Sequence, residues 1–262
     1  MLVLGLALAV GWFGWPGDRD ALRAGPPAPA AVPAAGRASA SPQPAPARLV
    51  QPARAPEAAP PAPARKPRHA DFRAQRPPPV VREVADWAVD SGDHGVRAFA
   101  IVDKKDARVW LFDDRGVLVQ QVPALLGAAV GDDPVPGIGE KPLSQVRPEE
   151  KTTPAGRFVA EPGVNSHGED IVWVSYDLAV SMHRVRPLVK AERRLQRLAS
   201  PTARDNRISF GCINLPVAFY EKVFSPLVRS TGAVIYVLPE TRTAREQFRS
   251  YPVPRSPAAP SA

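Results

Sequence analysis

Sixteen prolines stand in the 57 positions of residues 24–80, out of 33 in the whole 262-residue chain. A stretch of Pro, Ala and Arg cannot bury enough apolar area to offset its conformational entropy. It is expected to sample polyproline II at ~3.1 Å per residue, giving a contour near ~180 Å. Such a stretch is either a solvated spacer or a spacer whose arginines rest on anionic lipid or wall polymers. Both readings make residues 24–82 a linker, so a packed body has to come from the residues C-terminal to it.

Charge points the same way. The chain carries a formal +8, and Arg37, Arg48, Arg54, Arg65, Lys66, Arg68, Arg73 and Arg76 face only Glu57 and Asp71 within residues 24–80. That leaves +6 in the linker, zero in residues 1–23 and +2 for everything after residue 80. A nucleic-acid partner is therefore not expected: the basicity belongs to the tether. Residues 1–15 are uncharged and run Leu-Val-Leu-Gly-Leu-Ala-Leu-Ala-Val before Trp12, Phe13 and Trp15. Spanning a bilayer takes ~20 apolar residues, so the run is short for a span and right for the apolar core of an export signal. Residues 1–23 read as a signal peptide or an N-terminal membrane anchor, which implies an exported protein of the periplasm or cell envelope.

From residue 83 to 240 short β-branched and aromatic runs alternate with turn signals, predicting one mostly β domain. Strands are expected at residues 99–102, 109–112, 117–122, 125–126, 157–160, 171–175, 179–183 and 233–238. Two helices are expected, an amphipathic basic one at 188–198 and one at 216–227 opening on proline. Residues 241–262 return to Arg, Ser and Pro and read as a frayed tail.

The single cysteine, Cys212, excludes an intramolecular disulfide framework and cysteine-type zinc clusters. It follows Ser209-Phe210-Gly211, where a short strand runs through glycine into a helix start. A thiol on such a turn, near backbone N–H groups, is favoured as thiolate; a small buried hydrophobe is the plainer reading. A nucleophilic thiol needs a base. His69 falls in the linker, His94 in a turn and His167 in a loop, whereas His183 ends the apolar strand Leu178-Ala179-Val180-Ser181-Met182. No His-Glu-x-x-His spacing calls for a metal, no glycine loop calls for a nucleotide, and no cofactor is expected.

Ser209-Phe210-Gly211-Cys212-Ile213-Asn214 resembles the Ser/Thr-His-Gly-Cys-x-Arg/Asn signature of the L,D-transpeptidases, the YkuD-type catalytic domain. His183 resembles that family's upstream histidine, and Thr152-Thr153-Pro154-Ala155-Gly156-Arg157-Phe158 its Thr-Pro-x-Gly-x-Phe strand. The three motifs occur in the family's order within residues 96–240. The resemblance implies a β-rich sandwich, with Cys212 as nucleophile, His183 as base, and the Arg184 backbone carbonyl orienting the imidazole. It makes Gly211 and Cys212 oxyanion donors, and gives Ser209, Phe210 and Asn214 substrate contacts. The implied reaction attacks the third residue of a peptidoglycan stem tetrapeptide, forms a thioester, releases D-alanine and passes the acyl group to an amine. Hydrolysis by water and non-catalytic binding of peptidoglycan are the alternatives. Partners are then stem peptides, with membrane contact through the N-terminal segment, and the protein is expected as a monomer. Two departures stand out: Phe210 replaces the family's histidine, and 25 residues separate His183 from Ser209, an insertion expected to cap the cleft.

Overall fold

The structure is a computed structural model that describes residues 65–165 and 167–255; residues 1–23, expected to serve as a signal or anchor, and residues 24–64 lie outside them. Two compact units divide the chain, one containing Pro67–Ala262 and the other Pro26–Lys66, of which only Arg65 and Lys66 are described. Among the described residues no helix is long and apolar enough to cross a membrane.

The body is mostly β. Eight strands form one sheet in the order β3-β2-β1-β10-β5-β6-β7-β9, and β4 pairs with β8 beside it. In chain order they are β1 Ala98–Asp103, β2 Arg108–Phe112, β3 Leu118–Pro123, β4 Leu126–Gly127 and β5 Gly156–Val164, then β6 Asp170–Ser175, β7 Val180–Arg184, β8 Arg207–Ser209, β9 Ile213–Leu215 and β10 Ala233–Val237. The expected strands are all present; β9, three residues long after Cys212, was not among them.

Strand β5 joins the two halves of the sheet. Its first residues pair with β10 (Ala160 opposite Ala233) and its last with β6 (Glu161 opposite Trp173). The halves share one core: Ala100, Val102 and Leu111 pack in the same cluster as Val172, Met182 and Leu215, with Phe219, Tyr220 and Phe224. One sheet thus supplies both apolar faces. The last three residues come from the helical run after Pro216, which is α3 Val217–Phe219, a π-helical turn Tyr220–Phe224 and α4 Ser225–Thr231. Strand alternation sends Phe99 and Ile101 to the opposite face of β1, where they meet a second cluster with Trp110, Val234 and Tyr236.

Helix α1 (Pro79–Ser91) covers that second face. It starts with Pro78 at the N-cap and proline at the first helical position, where the missing N–H costs nothing. It ends on Gly92 at φ 71°, whose N–H donates to the Ala88 carbonyl. The linker expected to run through residue 82 is therefore corrected at its C-terminal end. Phe72 is 4% exposed and stands edge-on to Phe112 at 5.2 Å, and Asp71 bridges Val117. Burying a Phe contributes about 1.5–3 kcal/mol, which is why this proline-flanked stretch stays put.

The tail expected to fray after residue 240 is instead structured in its described part, residues 241–255. It forms a short capped helix, α5 Ala244–Phe248, and then reaches back to α1. Asp90 accepts from the Arg68 N–H (2.9 Å) and the Tyr251 hydroxyl (2.7 Å). Asp86, 4% exposed, accepts from the Ala70 N–H (3.1 Å) and from Arg255. His69, assigned to the linker from sequence, lies 3.5 Å from Asp86.

Candidate active site

Cys212 and His183 line one cleft of about 640 Å³, including its open mouth, together with Ser209, Phe210, Asn214 and Arg194. The topology brings them together. Strands β7 and β9 are parallel neighbours with His183 opposite Asn214, so Cys212, one residue before β9, falls beside the strand that carries the histidine. Of the other histidines, His94 is buried and held by the Arg97 carbonyl at 2.8 Å, and His167 is exposed on the β5–β6 loop. Neither lines the cleft.

The imidazole has a defined tautomer. Its Nδ1 lies 2.8 Å from the Arg184 carbonyl, an acceptor only, so the neutral ring carries its proton on Nδ1 and leaves Nε2 as the basic nitrogen. The thiol of Cys212, half-buried, has the Ala179 carbonyl and the Ser181 hydroxyl each at 3.6 Å. The Arg184 side chain has work of its own. It pairs with Asp170 and Glu221 and lies over the Tyr220 ring at 5.0 Å. Burial alone would raise the Asp170 carboxyl; hydrogen bonds from Arg184 and Ser225 leave it below its ordinary value.

The turn that carries Cys212 is fixed by a chain of hydrogen bonds. Ser209 Oγ donates to the Cys212 carbonyl (2.6 Å) and accepts from the Gly211 N–H (3.1 Å). The Gly211 N–H, expected to bind an oxyanion, is thus engaged within the turn. Gly211 has φ 136°, and an added Cβ would meet the Thr152 carbonyl at 2.8 Å, so only glycine fits. Thr153, fully buried, donates its hydroxyl to the Gly211 carbonyl and accepts from the Gly127 N–H, both at 2.9 Å. The Thr-Pro-x-Gly strand is thereby a brace for the thiol turn. Thr153→Val leaves two buried backbone groups unsatisfied, at about 1–3 kcal/mol each. Its urea midpoint is expected to fall, with slower alkylation of Cys212, and Thr153→Ser is expected to restore both. A Thr153→Val protein as stable and as reactive as the wild type would remove the brace.

Behind the turn lies a buried charged cluster. Lys104, 1% exposed, donates to Asp132 (2.9 Å) and to the Gly131 and Thr153 carbonyls, with Glu240 at 3.5 Å. Arg207, on the strand entering the turn, pairs with Glu240 and donates to the Lys104 carbonyl (2.8 Å). Burial alone would raise Asp132, but the Thr241 hydroxyl, the Glu240 and Thr241 N–H groups and Lys104 hold it well below the usual carboxylate range. Burial pulls Lys104 below its ordinary value against the opposing pull of Asp132 and Glu240. These contacts reach along the chain from Lys104 to Glu240, and no local motif announces them.

The insertion after His183 is not the continuous helix expected at residues 188–198. It is a 3₁₀ turn, Lys190–Glu192, followed by α2, Arg194–Ala199. Its Arg194 enters the cleft and donates to Asn214 Oδ1 at 2.7 Å. Among the described residues no three His, Cys, Asp or Glu side chains converge to hold a metal ion.

No family model matches the sequence, and no curated protein matches it significantly. Among solved structures, the NMR structure of the catalytic domain of the E. faecium L,D-transpeptidase is similar at 18% identity and a TM-score of 0.31, over 55% of this chain and 98% of that one. The crystal structure of a Cys-to-Ser mutant of the Enterococcus faecium L,D-transpeptidase is similar at 17% identity and a TM-score of 0.30, over 54% of this chain and 50% of that one. What the cleft can do is read from its own residues.

Proposed function

We propose that the protein is a cell-envelope L,D-transpeptidase acting on peptidoglycan stem tetrapeptides. One observation carries the reading: Cys212 shares a cleft with an imidazole whose Nδ1 is tied to the Arg184 carbonyl, leaving Nε2 as a base. In the first half-reaction Nε2 takes the thiol proton and the sulfur adds to the carbonyl of the third stem residue. Collapse breaks the amide bond to the terminal D-alanine, whose nitrogen leaves with the proton from His183, and a thioester remains on Cys212. In the second half an acceptor amine gives a proton to His183 and attacks the thioester, re-forming an amide and the thiol. Bond energy passes from amide to thioester to amide, so no nucleotide is consumed. Substrate contact falls to Phe210, with the buried Ser209 and Asn214 shaping the cleft from behind, and the N-terminal segment serves export or anchoring.

The test is incubation of purified protein with tetrapeptide muropeptides, with products read by mass. A cross-linked dimer plus D-alanine supports transfer, and a free tripeptide assigns water as acceptor. Unchanged muropeptides would favour a module that only binds peptidoglycan.

Phe210 has its own expected result. Its ring lines the cleft and carries Lys151 Nζ at 4.0 Å over its centroid. Such a ring holds substrate by buried area, at ~25 cal/mol per Å², and moves no proton. Phe210→Ala is expected to raise KM several-fold with kcat within about ten-fold of wild type. A normal KM with collapsed kcat would mean that the ring positions Cys212 or His183 instead.

A further inference from the structure

Arg194 stands at the start of α2, with its side chain only 10% exposed and its Nε paired with Glu192 at 2.6 Å. Its Nη1 donates to Asn214 Oδ1 at 2.7 Å. A guanidinium has donors only, so the oxygen of the Asn214 amide has to face Arg194 and its NH₂ has to face away. There the NH₂ lies 3.4 Å from His183 Nε2 and 3.4 Å from the Cys212 carbonyl. In the neutral ring this is a compatible pair, an N–H facing the Nε2 lone pair. Once Nε2 is protonated, two N–H groups face each other. The amide cannot turn to present its oxygen while Arg194 grips it.

We propose that Arg194, by fixing the orientation of the Asn214 amide, keeps His183 neutral and Cys212 a thiol in the resting cleft. The proposal rests on the reading of Cys212 and His183 as the reacting pair and adds how that pair is regulated. The charges around the ring do not decide the matter by themselves. Arg184, Arg186 and Arg194 line the same cleft, but each meets carboxylate: Arg184 pairs with Asp170 and Glu221, Arg186 with Glu169 and Arg194 with Glu192. The Cys212 thiol lines the same cleft as the ring. Hydrogen-bond direction discriminates between the two forms of the ring: a bond made to the neutral form disfavours the charged one. Arg194 is a positioning residue here, acting on the base through Asn214. It belongs to the insertion that departs from the family pattern.

The experiment is the titration of His183 by imidazole NMR, alongside the pH profile of Cys212 alkylation by iodoacetamide. Arg194→Met has no donor, which frees the Asn214 oxygen to accept from the imidazolium. The His183 midpoint is expected to rise by about one pH unit, and alkylation at pH 6 to quicken about ten-fold as the ion pair is populated earlier. Arg194→Lys keeps a donor and is expected to return both towards wild type. In an Asn214→Ala background Arg194→Met is expected to move neither. Asn214→Ala alone removes the bond to the neutral ring and is expected to raise the midpoint, which decides the matter should Arg194→Met not fold. An unchanged midpoint in Arg194→Met, or the same shift with Asn214 already removed, would overturn the proposal. Neither readout uses acyl transfer, so a wild type inert on muropeptides would count against the proposed reaction and leave these titrations to be judged separately.

Discussion

Replacing Cys212 by alanine is expected to abolish D-alanine release while leaving the fold intact. The half-buried thiol makes long contacts to the Ala179 carbonyl and the Ser181 hydroxyl, each at 3.6 Å. Its removal therefore takes little from the folded state. Chemically it takes the only thiol in the chain. Losing the nucleophile of a cooperating pair lowers kcat by about 10⁴-fold or more in enzymes of this type of chemistry. Release of D-alanine is measured by mass, and the melting temperature is followed beside it. A Cys212→Ala protein that works at the wild-type rate would take the cysteine out of the reaction altogether.

Lys104→Met is expected to have the largest effect on stability. The ammonium is the centre of a cluster in which Asp132 and Glu240 are both nearly inaccessible to water. Removing one partner of a buried ion pair leaves uncompensated charge, a loss of about 3–5 kcal/mol, against a total stability of about 5–15 kcal/mol for a domain. Urea unfolding measures it. Adding Asp132→Asn is expected to recover part of the loss, since the stranded charge goes while an acceptor stays. A Lys104→Met stability within about 1 kcal/mol of wild type would mean that the cluster does not hold the fold. Because Lys104 also donates to the Thr153 carbonyl, the variant is expected to loosen the brace of the cysteine turn as well.

The strands are legible in the sequence because β-branched and aromatic residues run in pieces of strand length. Phe99 and Ile101 go to one face of β1, Ala100 and Val102 to the other, as a period of two requires. Helix α1 is hidden for a physical reason. Pro77, Pro78 and Pro79 look like the end of a proline tract, whereas proline at a helix start is a beginning. Its signal is present in Val81, Val84, Ala85 and Ala88, an i, i+3, i+4, i+7 stripe stopped by Gly92. Cys212 and His183 stand out because a lone thiol and a strand-end imidazole are rare residue types in telling contexts. Thr153 is visible in its motif, but its role as a brace needs the fold to bring Gly211 and Gly127 to it. Arg194 and Lys104 are concealed more deeply. Arg194 reaches Asn214, and Lys104 reaches Asp132, Thr153 and Glu240, all distant in sequence, and a basic residue looks like a solvated one until its neighbours are known.

Asp86 and Asp90 sit one helical turn apart on α1, and each carboxylate is shared between the two extremities of the described residues. One oxygen of each takes a backbone N–H from residues 68–70, and the other takes a side chain from residues 251–255. The body is therefore a loop closed by a clasp, a ring in everything but a covalent bond. Neither extremity can be trimmed as spare chain, because loosening one strands a carboxylate that also secures the other. A boundary drawn where the sequence turns polar, at 83 or at 240, cuts through the clasp. A piece that keeps the clasp has to keep both of its jaws, residues 68–70 and residues 251–255.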